Sequence, residues 1–436
     1  MNAHRTRRIT LVSAAGLLLA GVFAALPDCA HRLEAQQPRP VPRDVGAPRP
    51  AQPPLSDDLK SVVRGNNRFA FELYRKLRET ETGNLFYSPY SISTALAMTH
   101  AGAKGETATQ MARTLRFDLP EEKLHAAYRE LASRLRPEAA QGESPAYILT
   151  VANRLWGQQG YDFLPEYLKL TREQYGAELA QLDFAQSEQA RMTINDWVAT
   201  HTERKIENLI PGGALDDMTR LVLTNAIYFK GDWAKPFEKR ATQAADFHVT
   251  SDKTTKAPLM HKSDNLPYAD LGDAQLLELP YAKNGVSMLV LLPKNVDGLD
   301  ALEAKLTAEN FADWTAKSRR REVQVFLPRF ELTEEFQLNG MLSALGMKDA
   351  FVPDQADFSG MNGRRDLYIT AVVHKAFVDV NEEGTEAAAA TGVIVGVTSA
   401  PAEPTVFRAD RPFVFVIRDN ATGSVLFVGR VREPKG

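Results

Sequence analysis

The side chains able to do bond chemistry do not gather into any recognisable catalytic pattern. The eight histidines, at positions 4, 31, 100, 125, 201, 248, 261 and 374, show no spacing suited to a metal. No HExxH pair, GxSxG nucleophile elbow or phosphate-cradling loop occurs. Ser263, Asp264 and Asn265 spell an SDN triplet of the kind found in penicillin-recognising enzymes, yet no SxxK supplies the nucleophile and base that this chemistry needs. What stands out is a stretch with no chemistry at all. Positions 387–402 carry no charge, and the run AAAATGVIVGVTSA passes from small to β-branched residues before Pro401 and Pro404. Left exposed, such a segment invites strand pairing, the hazard that edge strands are normally protected against. Four consecutive alanines, Gly392 and Gly396 nevertheless make it a poor permanent strand. The composition fits a segment with two residences, a loop first and a strand inside a sheet later.

Alternation supports that reading. In an extended chain Thr385, Ala387, Ala389, Thr391, Val393 and Val395 share one face, all small or apolar, while the charge of Glu386 falls on the other face. About ten new ladder bonds at roughly 1 kcal/mol each are largely offset by ordering about ten residues at roughly 1 to 2 kcal/mol each. Backbone pairing therefore does not drive insertion, and apolar burial together with relief of a strained sheet must do so.

The elements that position this segment are legible in outline. From Asp57 onward Leu59, Val63, Phe69, Leu73 and Leu77 recur on one helical face. Positions 84–93 (NLFYSPYSIS) read as a short strand broken by Pro89 and followed by an Ala-rich helix to Ala103, and helical patterns continue through much of the first half. After Arg220 the texture turns to strands: LVLTNAIYF at 221–229, GVSMLVLLP at 285–293 and the alternating 322–327. PFVFVIRD (412–419) and SVLFVGRV (424–431), joined by Asn420, Ala421, Thr422 and Gly423, form a hairpin. No linker composition interrupts 57–385, so one large mixed α+β domain is expected over 57–436.

Upstream the chain changes character. Arg5, Arg7 and Arg8 precede an apolar run over 9–26, the outline of an export signal placed at 1–35. Seven prolines follow in a linker over 36–56, expected to be a semi-stiff extended spacer. Secretion or periplasmic release is therefore expected. The single cysteine, Cys29, offers lipid anchoring as the alternative, although Asp28 departs from the small uncharged residues that usually precede such a site. Internal disulfides are excluded. With 52 Lys and Arg against 55 Asp and Glu, the chain lacks the basic excess of a nucleic-acid binder.

The stretch NEEGTEAAAATGV (381–393) resembles the hinge of inhibitory serpins, and the likeness covers 57–436. NLFYSPYSIS, INDWVATHTERKI (194–206), LTNAIYFKGDW (223–233) and ELPYAKNGVSMLVLLP (278–293) resemble that family's motifs in order. LPRFEL, LGMKDAF, ADFSGM, VHKAFVDVNEEGTEAAAAT and FRADRPFVFVIRD continue the series. The resemblance implies the serpin fold: one domain of helices packed around three β-sheets, with an exposed reactive-centre loop at about 382–404. It implies a suicide inhibitor of serine proteases, not an enzyme, whose cleaved loop enters the main sheet as a strand.

By the same resemblance Glu382 is the acid upstream of the hinge with Arg329 as its ion-pair partner, and Gly384, Thr385, Glu386, Ala387, Ala388, Ala389 and Ala390 form the part that enters. Ser88, Ser91, Asn225 and His374 form a polar gate under the main sheet, and Trp233 marks where insertion starts. The scissile bond falls at Thr398–Ser399, with Val397 as the alternative specificity residue. No Arg or Lys occurs in 387–402, so elastase-like or subtilisin-like targets are expected. The resemblance further implies a monomer acting on serine proteases, with cysteine proteases as a second partner class, and no cofactor, metal, nucleic acid or membrane span. Arg204 departs from the family in replacing a common glycine, and Gly392 in replacing an apolar residue. The alternative reading is a non-inhibitory binding or chaperone protein on the same fold.

Overall fold

The structure is a computed structural model that describes residues 53–136, 145, 147–385 and 405–435. The first half runs α1 (Asp57–Thr80), β1 (Leu85–Tyr87), α2 (Pro89–His100), α3 (Gly105–Leu115), α4 (Glu121–Arg134), β2 (Tyr147–Gln158), α5 (Pro165–Tyr175), β3 (Ala180–Leu182) and α6 (Ser187–His201). Five strands follow: β4 (Leu221–Asp232), β5 (Gln243–His248), β6 (Thr254–Asp270), β7 (Ala274–Pro280) and β8 (Val286–Pro293). The remainder is α7 (Leu299–Ala304), α8 (Ala308–Ala316), β9 (Arg319–Pro328), β10 (Phe330–Gln337), α9 (Asn339–Leu345), α10 (Ser359–Asn362), β11 (Ala371–Val380), β12 (Gly384–Thr385), β13 (Thr405–Arg408), β14 (Phe413–Asp419) and β15 (Val425–Val431).

Helix α1 begins where Ser56 accepts a hydrogen bond from the Leu59 amide at 3.1 Å, with Asp57 and Asp58 favourably placed against the helix dipole. Its stripe of Leu59, Val63, Phe69, Leu73 and Leu77 is buried, as the spacing requires. The hairpin β14/β15 lies in the core. Every described residue of β15 is buried, and Phe86 stacks on Phe427 and Phe415 at 5.1 and 5.8 Å. Gly429 is required there, because a Cβ would lie 2.2 Å from the Phe415 ring.

Three sheets result, two of them sharing a strand. Strand β6 pairs with β5 and β9 over most of its length and with β7 only at 268–270, so it passes from one sheet into the next. The third sheet has the order β10-β11-β12-β4-β2-β3. The helical texture expected through the first half fails at β2. YILTVANRLWGQ is a twelve-residue strand, as its Tyr147, Ile148, Thr150, Val151 and Trp156 favour, and it pairs with β4 from Tyr147↔Gly231 to Gly157↔Leu221.

Candidate functional site

The main sheet holds two different arrangements along one seam. At its lower end β4 and β11 are direct parallel neighbours, in register from Ala371↔Val222 to Phe377↔Tyr228. At its upper end the two-residue strand β12 separates them, antiparallel to both, with Gly384↔Asp232, Thr385↔Gly231 and Val380↔Thr385. A strand position is thus begun and then closed.

The upper end is built from the carbonyls of Asn381, Glu382 and Glu383 and the groups that bind them. The Trp233 indole N–H donates to the Asn381 carbonyl at 3.0 Å, the Phe237 amide to that of Glu382 at 2.7 Å, and the Trp233 amide to that of Glu383 at 2.9 Å. Trp233 stacks on Tyr281 at 4.5 Å, and the Tyr281 and Thr385 hydroxyls hydrogen-bond at 2.8 Å inside the core. Thr385 is fully buried. Gly384 has a narrower role than flexibility, since a Cβ at this position would lie 2.2 Å from the Gly231 carbonyl oxygen. Its need is close backbone approach.

Glu382 and Arg329 meet as the resemblance implies. Arg329 Nε lies 2.8 and 2.7 Å from the two carboxylate oxygens, and Thr242 donates to the carboxylate at 2.5 Å. The Glu382 side chain is 2% exposed and that of Arg329 41%, so the acid is buried and its partner caps it from solvent. Burial pushes the Glu382 carboxyl up, but the Arg329 and Thr242 hydrogen bonds outweigh it and hold the group below the usual carboxylate range. Lys262, reached from β6, donates to the Lys235 carbonyl at 2.6 Å and sits 4.4 Å from the Phe237 ring. Burial lowers its ammonium to about 8.

Ser88, Ser91, Asn225 and His374 converge in a second cluster, eight residues down β4 from Trp233, or about 26 Å of strand. The Ser88 amide donates to His374 Nε2 at 3.1 Å, so the imidazole proton is on Nδ1, where it is donated to Asn225 Oδ1. Asn225 Nδ2 in turn donates to Ser91 Oγ at 2.6 Å, and Ser88 Oγ caps α2 through the Ser91 amide at 3.1 Å. Burial lowers His374 to about 3, leaving a neutral ring.

Sequence reasoning missed Asn153, which stands opposite Asn225 across β2/β4 and donates to the Ser91 carbonyl at 3.0 Å. A signal existed: VANRL and TNAIY both place an Asn beside an Ala in the middle of a strand. Thr242, Phe237, Tyr281 and Lys262 were also missed, being far in sequence from the hinge with no pattern to mark them. Glu386, Ala387, Ala388, Ala389, Ala390, Val397, Thr398, Ser399 and Cys29 lie outside the described residues. Among the described residues no cluster of three metal-binding side chains occurs, and no helix is long and apolar enough to cross a membrane.

The chain is similar to known proteins across nearly all of this architecture. A family model described as serpin (serine protease inhibitor) matches residues 64–434. Leukocyte elastase inhibitor A of Mus musculus is 44% identical over 386 residues, which span 86% of this chain and all of the relative. Among solved structures, uncleaved ovalbumin aligns with a TM-score of 0.77 at 33% identity, covering 86% of this chain and 100% of that one. Human thyroxine-binding globulin complexed with its hormone aligns with a TM-score of 0.79 at 29% identity, covering 87% and 100%.

Proposed function

This chain belongs to the serpin family, and from that premise we propose that it inhibits serine proteases by offering its loop as a substrate and inserting it after cleavage. The observation that carries this reading is the half-begun strand position. A strand entering between β4 and β11 runs antiparallel to both, as β12 already does, and replaces one parallel pairing with two antiparallel ones. The protease serine attacks the Thr398 carbonyl carbon, the Thr398–Ser399 amide breaks, and the amine of Ser399 leaves, so the protease stays esterified to Thr398. Insertion then carries the ester along with the loop.

Continuing the register of β12 brings Thr391 opposite both Asn225 and His374, the two residues bonded to each other across the closed seam. The incoming threonine hydroxyl replaces that bond. The targets proposed are elastase-like or subtilisin-like enzymes, supported by the absence of Arg and Lys from 387–402 and by relatives named as leukocyte elastase inhibitors. Export through the leader at 1–35 is part of the proposal, supported by its basic flank and apolar run.

A binding function on the same fold is the second reading, favoured by the likeness to thyroxine-binding globulin. Gly384, Thr385 and the four alanines from 387 to 390 weigh against it, because small residues suit a segment that must pass into a sheet. Mixing the full chain with pancreatic elastase and with subtilisin decides between them. A band at the summed mass, stable to denaturant, with mass spectrometry placing the nick at 398/399, is expected. Cleavage without such a band overturns the inhibitory proposal.

A further inference from the structure

Lys262 is a buried charge that the core does not need. It is 7% exposed and stands on β6 opposite Val325 of β9, a position that an apolar side chain would fill with no charge to desolvate. No carboxylate lies within ion-pair distance of its ammonium among the described residues. Asp264, two residues on along the same strand, contacts Lys235 at 3.6 Å instead. The partners of Lys262 belong to one short stretch after β4. Its ammonium donates to the Lys235 carbonyl at 2.6 Å and lies 4.4 Å from the Phe237 ring and 5.8 Å from the Trp233 ring. The N–H groups of those two aromatic residues are the donors that hold the carbonyls of Asn381, Glu382 and Glu383 in the turn between β11 and β12. One cation thus grips, through their rings, the two residues whose N–H groups grip the turn. The acids of the turn are engaged elsewhere, Glu382 with Arg329 and Thr242, and Glu383 with Lys239 at 2.6 Å.

We infer that Lys262 is a positioning residue for inhibition: its ammonium, held against Phe237 and Trp233, fixes the turn 381–383 so that the loop enters the main sheet from a strand already begun. Without that grip the turn withdraws, entry slows, and more of the protease completes its cut and escapes. This role rests on the inhibitory reading, whereas the grip on the turn does not. The charge is also removable without changing the chain. Burial brings the ammonium down to about 8, with Asp264 opposing the fall and Lys235 adding to it. Those two are the charged groups that face it from β6 and from the stretch after β4, and β9 presents Val325. The sign of the pH effect is distinctive. The penalty for burying the charge is fully present below pH 8 and is relieved as pH rises toward the ordinary lysine value of 10.5, so this group's contribution to folding stability improves there. The grip is lost over the same interval. Stability and trapping therefore move in opposite directions, whereas a lysine that only supported the fold would move them together.

The test uses the full chain and pancreatic elastase, and counts the inhibitor molecules consumed for each protease trapped in the denaturant-stable complex. Lys262→Met keeps the apolar stem and drops the charge, and Lys262→Arg keeps a charge that does not titrate. At pH 7 the Met variant is expected to consume at least about threefold more inhibitor per complex while melting no lower than the parent, since a buried charge has gone. The parent shifts the same way between pH 7 and pH 9, and the Arg variant stays flat. Hydrogen exchange at the Trp233 and Phe237 amides reads the grip with no protease present, and is expected to be about tenfold faster in Lys262→Met. Unchanged exchange in that variant overturns the grip. Faster exchange with an unchanged count, or an equal rise with pH in Lys262→Arg, overturns the positioning role and leaves the inhibitory reading standing. If the parent forms no stable complex, the inhibitory reading and the role both fall, and exchange still decides the grip.

Discussion

Arg204 follows the end of α6 with φ +59, beside Glu203 at φ +50, in the left-handed region where an L-residue is strained by about 1 kcal/mol. That is the physical reason for the glycine common at this position. Its contact with Glu207 at 3.6 Å is exposed and contributes little. Arg204→Gly is therefore expected to stabilise the protein by up to about 1 kcal/mol, read as a higher urea midpoint at unchanged slope. A lower midpoint sinks the strain argument. His374 makes a pH prediction whose sign follows from burial. Its native value of about 3 lies below the usual one near 6.5, so the unfolded chain binds the proton first. Stability is complete above pH 6.5 and declines as pH falls toward 3, by up to about 1.4 kcal/mol per unit. Replacing His374 with Gln lowers stability at pH 7 yet flattens the slope between pH 6.5 and 4.5. Equal slopes in the two proteins rule out a buried neutral ring.

Strand β12 carries the insertion argument at the level of elements. Thr385 already faces the core against Tyr281, so each inserted residue two positions on must occupy the same face. Thr385→Arg brings a guanidinium to that face at a cost of several kcal/mol. The hinge withdraws, the melting temperature of the uncut protein changes by no more than a few degrees, and the protease cleaves the loop and escapes. Persistence of the stable complex in this variant contradicts the register. Thr391→Val tests the lower end of the same path. It supplies no hydroxyl between Asn225 and His374, leaving buried polar groups unpaired at about 1 to 3 kcal/mol each. The cut form of this variant is expected to melt below the cut parent while the uncut forms melt alike, and identical cut forms count against the extrapolated register.

For the molecule as a whole, the proposed insertion between β4 and β11 requires that the cut protein gain apolar burial over the intact one. Val393 and Val395 moving onto the core face contribute roughly 1.5 to 3 kcal/mol each. At about 2 °C per kcal/mol for a chain of this size, nicking at 398/399 is expected to raise the melting temperature by about 6 to 12 °C. Calorimetry on intact and nicked protein measures this, and equal melting temperatures mean that the strand does not enter. Much of this was written in the chain itself. The α1 stripe and the β14/β15 hairpin follow from local periodicity and turn residues, and the pairing of Glu382 with Arg329 follows from the family resemblance. Asn153, Thr242 and Tyr281 did not, because each reaches its partner from more than 60 residues away, and Lys262 did not because it meets the Lys235 carbonyl across 27 residues that include a change of strand; no spacing encodes such meetings. The state of the seam is the deeper case. A two-residue alternation assigns side chains to faces but names no neighbouring strand, so the same residues satisfy an open sheet and a filled one. Only the tertiary register, parallel from Ala371 to Phe377 and divided above by Gly384 and Thr385, decides which of the two this protein holds.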